Sequence, residues 1–113
     1  MRRFVPRSLF ALALMAIFTL SLMPLPQAGM QFDQQDKFEH LAAFTGLCLL
    51  GLAGWPRCPV RLGVGLLAYG LLIELAQSFT PHRQADAWDW LADALGIVAG
   101  LAIHRGLDWH RAN

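Results

Sequence analysis

The sequence predicts an all-α fold: an integral membrane bundle of four transmembrane helices joined by short loops, forming one domain over residues 1–113. Three observations predict it. Apolar residues make up 56% of the chain and charged residues 15%. A soluble domain carries about 25% charged residues, so this chain has too little charge to solvate a whole surface. The apolar residues also fall into four separate runs. Leu, Ala and Gly dominate those runs without strand-like alternation, which favours helix.

The first run is Leu9 to Met23, stopped by Pro24 and Pro26. The second is Phe38 to Trp55, stopped by Pro56. The third is Leu62 to Phe79, stopped by Thr80-Pro81, and the fourth is Trp90 to Ile103, stopped by His104-Arg105. A membrane helix takes about 20 mostly apolar residues, with about 17 as the short limit. The first and fourth runs reach this length only with their flanks. Four spans and three links use the whole length and leave no room for a soluble domain. The first run, preceded by Arg2, Arg3 and Arg7, has the outline of a signal peptide. Its core is long and the following Pro-Leu-Pro-Gln-Ala-Gly makes a poor cleavage site, so an uncleaved helix is expected.

Lys and Arg set the orientation. With the N-terminus cytoplasmic, the inside segments hold Arg2, Arg3, Arg7, Arg57, Arg61, Arg105 and Arg111, seven in all. The outside segments then hold only Lys37 and Arg83. Both termini are therefore expected in the cytoplasm. The tryptophans fit aromatic belts, with Trp55 and Trp109 at the inner interface and Trp88 and Trp90 at the outer one. The net charge of +1 points to neither nucleic acid nor an acidic partner. Cys48 and Cys58 match no metal or redox spacing.

This topology gathers polar residues at the outer end of helices two, three and four. Helix two enters with Asp36, Lys37 and His40. Helix three leaves with Glu74 and Gln77, and Ser78 beside them. Arg83 and Asp86 lie in the link, and helix four enters with Asp89 and Asp93. At about 1.5 Å per residue, His40, Glu74 and Asp93 fall at similar depth. Asp36 and His40 share a helix face, as do Glu74, Gln77 and Ser78, and Asp86, Asp89 and Asp93. Ionisable residues within spans face the bundle interior or a water-filled cavity. The expectation is an outward-open binding pocket built from Asp36, Lys37, His40, Glu74, Gln77, Arg83, Asp86, Asp89 and Asp93. Asp86 and Asp89 are also natural caps for helix four, and Lys37 a natural interface anchor. Ala92, Gly96 and Gly100 form a small-residue stripe, which reads as helix packing.

Five acids in this set against Lys37 and Arg83 leave an excess of three negative charges with His40 neutral. Such a density, partly desolvated, requires protonation, a charged His40, a bound cation or a cationic substrate group. Arg83 suits a carboxylate or an anionic head group. The Asp, Glu and His spacings match no standard zinc pattern, so no metal or other cofactor is expected.

The residues also resemble a known family. Asp36-Lys37-x-x-His40 leading into an apolar helix looks like the start of VanZ-like membrane proteins. Glu74-Leu75-x-Gln77-x-Phe79-x-Pro81-x-Arg83, then Asp86-x-x-Asp89, then Leu95-Gly96 with Gly100, resembles that family's second signature. The resemblance covers about residues 36–100. One departure is Asp93, where the family commonly has Asn, which adds a negative charge. The resemblance implies a multi-pass protein of the bacterial inner membrane. It further implies an accessory role in cell-envelope physiology or glycopeptide resistance of the teicoplanin type.

Three readings of the polar site follow. It holds the bundle while the protein recruits a larger envelope protein. Alternatively it binds or processes an envelope lipid, a phosphorylated head group or a peptidoglycan-related component, with Lys37 and Arg83 on the anion and His40 and Glu74 as acid–base candidates. Or it handles protons or cations, although the inner half of helices two and three is apolar and offers no path across. No Ser or Cys with a nucleophile motif stands nearby, since Ser78 has none around it. The balance is against catalysis, and the lipid bilayer is the one partner common to all three readings.

Overall fold

The computed structural model describes the backbone of residues 3–23, 33–81 and 87–112, and the side chains of all of these except 33–36, 111 and 112. Four helices make up the described chain: α1 (Phe4–Leu22), α2 (Asp33–Gly54), α3 (Pro59–Ser78) and α4 (Ala87–Ala112). Their ends have local causes. Pro6 falls in the first turn of α1, where its missing N–H costs no intrahelical bond. Met23 closes α1 with extended backbone, φ −74° and ψ 148°, as expected of a residue preceding proline. Pro59 opens α3 at its first position after Cys58, where the fixed proline φ suits a helix. At the other end of α3, Phe79 N–H bonds Ala76 O at 3.1 Å and Thr80 N–H bonds Gln77 O at 3.0 Å. This tight last turn satisfies carbonyls that an open helix end would leave bare.

The fourth helix is longer than its apolar run. It continues past Ile103 to Ala112 for 26 residues, about 39 Å at the usual rise. The added turns are mostly polar, residues 105–110 are exposed, and His104 Nε2 lies 3.3 Å from Asp108 Oδ2 one turn on. Such i,i+4 pairs support a helix that has no core to pack against.

α2 packs most extensively on α4 and also touches α1 and α3; α1 and α4 both touch α3 but not each other. The α2–α3 pair therefore lies between α1 and α4. Phe44, Leu47, Cys48, Leu52, Leu66 and Ile73 form much of the apolar core. Between α2 and α4 the small-residue stripe allows close approach. A Cβ at Gly96 would lie 2.6 Å from Leu41 O, and one at Gly100 2.6 Å from Cys48 Cβ. The Thr45 hydroxyl lies 2.7 Å from Leu41 O of its own helix and 3.1 Å from Gly96 O across the interface. Cys48 Sγ lies 3.5 Å from Ile97 O. The first helix is tied to its neighbours by polar contacts as well. Tyr69 OH donates to Leu14 O, and Arg7 Nε donates to Gly54 O at 2.8 Å, covering a terminal carbonyl of α2. The Arg7 guanidinium also sits 5.0 Å above the Trp55 ring.

The distribution of polarity is that of a protein in lipid. Leu12, Met15, Val64, Leu72, Leu95 and Val98 are each more than half exposed, whereas Glu74, Gln77, Asp89 and Asp93 are buried. In water an apolar exterior of this extent would drive association; in a bilayer it is the solvated surface. Three helices, Phe4–Leu22, Pro59–Ser78 and Ala87–His110, are long and apolar enough to cross a membrane. α2 has 22 residues, but its first two turns, Asp-Gln-Gln-Asp-Lys-Phe-Glu-His, are polar.

Candidate functional site

The polar residues converge at the end of the bundle where α2 begins, α3 ends and α4 begins. Two carboxylates from α4 flank one imidazole from α2. His40 Nδ1 lies 2.7 Å from Asp93 Oδ1. His40 Nε2 lies 3.9 Å from Asp89 Oδ2, within electrostatic range but beyond a hydrogen bond. The other oxygen of Asp89 faces Lys37, with Nζ 3.4 Å from Oδ1. Glu74 reaches the same point from α3. One ligand-capable atom from each of His40, Glu74 and Asp89 lies within 4.8 Å of the other two.

The site is dry on its acidic side. Asp93 is 0% exposed, Glu74 5% and Asp89 6%. The Lys37 side chain is one-third exposed and that of His40 14%, so access comes from the α2 side. Burying carboxylates is costly unless they are paired, and here Lys37 and His40 supply the pairing that the contacts above describe. The His40–Asp93 bond also fixes the imidazole. With Asp93 ionised, Nδ1 donates to it; Nε2 is the ring nitrogen turned towards Asp89.

Glycine makes room for this arrangement. A Cβ at Gly70 would lie 2.9 Å from Asp93 Oδ2, 3.3 Å from Trp90 Cδ1 and 3.4 Å from Phe44 Cε2. Gly70 stands one turn before Glu74 on α3, and its missing side chain lets Asp93 enter between α2 and α3. Trp90 also turns inward rather than joining an outer aromatic belt: its indole Nε1 donates to Leu67 O at 3.0 Å. Trp88 of the same turn is 67% exposed.

The remaining residues singled out in the sequence divide into four sets. Gln77 is buried on the same face as Glu74, but its amide nitrogen donates to Ser21 O of α1 at 2.9 Å, which links α3 to α1. Ser78 is exposed, and its hydroxyl bonds Leu75 O of its own helix at 2.6 Å, so it stays out of the cluster. Asp36 belongs to α2, but its side chain lies outside the described residues, as do Arg83 and Asp86 altogether. Ala92, Gly96 and Gly100 face α2 just inward of the cluster, all three buried.

No family model, curated protein or solved structure matches the chain. The case for function therefore rests on the residues themselves.

A shallow groove of about 510 Å³ runs between α2 and α4 beside the cluster, lined by Lys37, Phe38, Leu41, Trp88, Leu91, Ala92 and Leu95. Its lining is mostly apolar, and among the described residues Lys37 is its charged group. Gly70 and Trp90 were not legible as parts of the site. For Gly70 a signal does exist: a glycine four residues before an acid, within an apolar run, marks a place where another group approaches the backbone closely.

Proposed function

We propose that the chain is a VanZ-like protein of the bacterial inner membrane, with four spans and both termini cytoplasmic. In this reading it serves as an accessory in cell-envelope physiology or teicoplanin-type resistance, working through the His40–Glu74–Asp89–Asp93 cluster in the outer leaflet. The convergence of His40, Glu74 and Asp89 from three different helices supports the reading most. Groups scattered over one helix can be solvated singly, whereas three helices that deliver ionisable groups to one point define a site. The seven-to-two distribution of Lys and Arg supports the orientation. α2 serves as the fourth span with its polar first turns at head-group level and its 14 residues from Leu41 to Gly54 in the hydrocarbon.

Glu74→Gln and His40→Ala test this. Expressed in a glycopeptide-sensitive strain, both variants should lose the protection against teicoplanin that the parent chain confers, at unchanged abundance in the membrane fraction. Full protection by both well-expressed variants would sink the proposal. Loss of abundance and protection together would instead support a purely structural network.

The groove beside Lys37 favours a second reading, in which the site engages an envelope lipid with a phosphorylated head group. Apolar chains fit the groove, and the ammonium at its end suits a phosphate. Native mass spectrometry from phosphatidylglycerol-containing detergent micelles should then show bound lipid that is lost in Lys37→Ala and kept in Lys37→Arg. Equal lipid retention by Lys37→Ala would remove this reading.

A further inference from the structure

The end of the bundle opposite the cluster is basic. Arg3, Arg7, Arg57, Arg61 and Arg105 gather there, from the start of α1, the α2–α3 link, the first turn of α3 and the far part of α4. Glu39, Glu74, Asp89 and Asp93 all belong to the other end. Asp108 is the one described acidic side chain on this side, and it lies 3.3 Å from His104 Nε2. Arg7 is engaged as well, through Gly54 O and the Trp55 ring. Arg57 and Arg61 are both exposed, and among the described residues neither guanidinium has an acid to meet.

We propose that Arg57 and Arg61 form a binding site for the phosphate of an anionic phospholipid at this end of the bundle. Both line one recess of about 430 Å³, together with Cys58, Pro59 and Val60. A planar guanidinium offers parallel N–H donors that match phosphate oxygens. Their placement also calls for an anion. Cations at a helix N-terminus are disfavoured by the helix dipole, and α3 has no acid in its first turn to offset Arg61. A phosphate between the two arginines relieves both repulsions.

The backbone that carries the pair is already fixed. Trp55 N–H bonds Gly51 O at 2.7 Å, Cys58 N–H bonds Trp55 O at 3.3 Å, and Leu62 N–H bonds Cys58 O at 2.9 Å. Pro56 and Pro59 stand on either side of Arg57 and Cys58 and hold φ at each place. Little backbone order is therefore lost when an anion binds. The surface next to the recess selects a lipid over a soluble anion. Val60 is 75% exposed and Val64, one turn further along α3, 61%. A molecule with its phosphate on the arginines lays its acyl chains along these valines. Basic recesses beside membrane helices recognise anionic head groups in this way. Phosphatidylethanolamine fits less well, since its ammonium would face two guanidinium groups.

This inference goes beyond the reading above and shares with it only the membrane setting, and its test uses no phenotype. Full-length protein is reconstituted in nanodiscs of phosphatidylethanolamine with a minor share of phosphatidylglycerol. Lipid that stays bound on transfer to detergent is then identified by native mass spectrometry. The expected result is enrichment of phosphatidylglycerol on the parent protein. Arg57→Gln and Arg61→Gln should each lower that enrichment about fivefold, and the double variant roughly 25-fold, as expected of basic residues at a membrane surface. The Arg57→Lys/Arg61→Lys pair, which keeps the charge without the planar fork, should fall between the parent and the double glutamine variant. Arg105→Gln removes a charge at the same end but outside the recess, and should bind as the parent does. Unfolding midpoints in lipid-free detergent should be alike for all variants, because the three arginines are exposed. If the double glutamine variant unfolds earlier, the single variants and the lysine pair decide the matter. The proposal is overturned if the parent shows no enrichment or if the glutamine variants keep it. It is equally overturned if Arg105→Gln lowers enrichment as far as the double variant, which would show a diffuse basic surface. Displacement of the lipid by an equal concentration of inorganic phosphate would show a soluble-anion site and overturn it too. Loss in Lys37→Ala alone would place the binding at the cluster end and refute only this inference, whereas loss in the arginine variants alone would refute only the lipid reading of the groove.

Discussion

Gly96→Leu should separate α2 from α4 and destabilise the bundle by about 3 kcal/mol, at the upper end of what overpacking usually costs. The reason is what stands opposite. A Cβ at Gly96 would lie 2.6 Å from Leu41 O and 3.1 Å from both Phe44 Cβ and Thr45 N. Two of these atoms are backbone and cannot swing aside, so the helices themselves must move apart. That movement would break the Thr45 contact to Gly96 O and draw His40 away from Asp93 and Asp89. Stability and site should therefore be lost together. Gly46 on α2 has nothing within 4 Å of its virtual Cβ, so Gly46→Leu is the matched control and should leave the bundle intact. Thermal unfolding in detergent, followed by size-exclusion fluorescence, reads both. Equal midpoints for the two variants would show that the close approach contributes little.

Asp93→Ala is the second large effect, and its size reports the charge on His40. Asp93 is wholly buried and accepts from His40 Nδ1. If the pair is ionic, removing one partner strands a buried charge, at a cost of about 3–5 kcal/mol. If His40 is neutral, the loss is that of a single buried hydrogen bond, about 1–3 kcal/mol. Asp93→Asn keeps an acceptor for Nδ1–H and should cost less than Asp93→Ala in either case. A double-mutant cycle with His40→Ala isolates the pair term, and a coupling above about 3 kcal/mol would show the pair to be ionic.

Much of the architecture was legible because its causes are local. Four runs of apolar residues, each stopped by proline or a polar pair, correspond to the cores of α1 to α4. The ends were less legible. The last nine residues of α4 are mostly polar and carry no sustained hydrophobic pattern; they extend a helix already nucleated by its apolar part. The first turns of α2 are polar too, so the sequence placed the apolar run from Phe38 and the helix entry at Asp36, whereas the helix begins at Asp33. Glu74 and Asp93 could be suspected from their cost in an apolar setting. Ser78 shared a face with Glu74 on helix spacing alone, yet a face one residue wide of the packing line is exposed, and its hydroxyl turned back on its own helix.

By itself, then, the sequence determined the class of the molecule: a helical chain whose apolar surface calls for lipid and whose few buried charges need partners. Those properties follow from composition and from spacing along one helix. Which charges meet is different in kind. His40 and Asp93 are 53 residues apart and touch only because Gly96 and Gly100 let α2 and α4 approach, and because Gly70 leaves Asp93 a place to enter. Spacing within a helix constrains angles about its own axis but says nothing of the distance between axes. That distance is decided by the packing of side chains from two helices at once, and only the tertiary structure sets it.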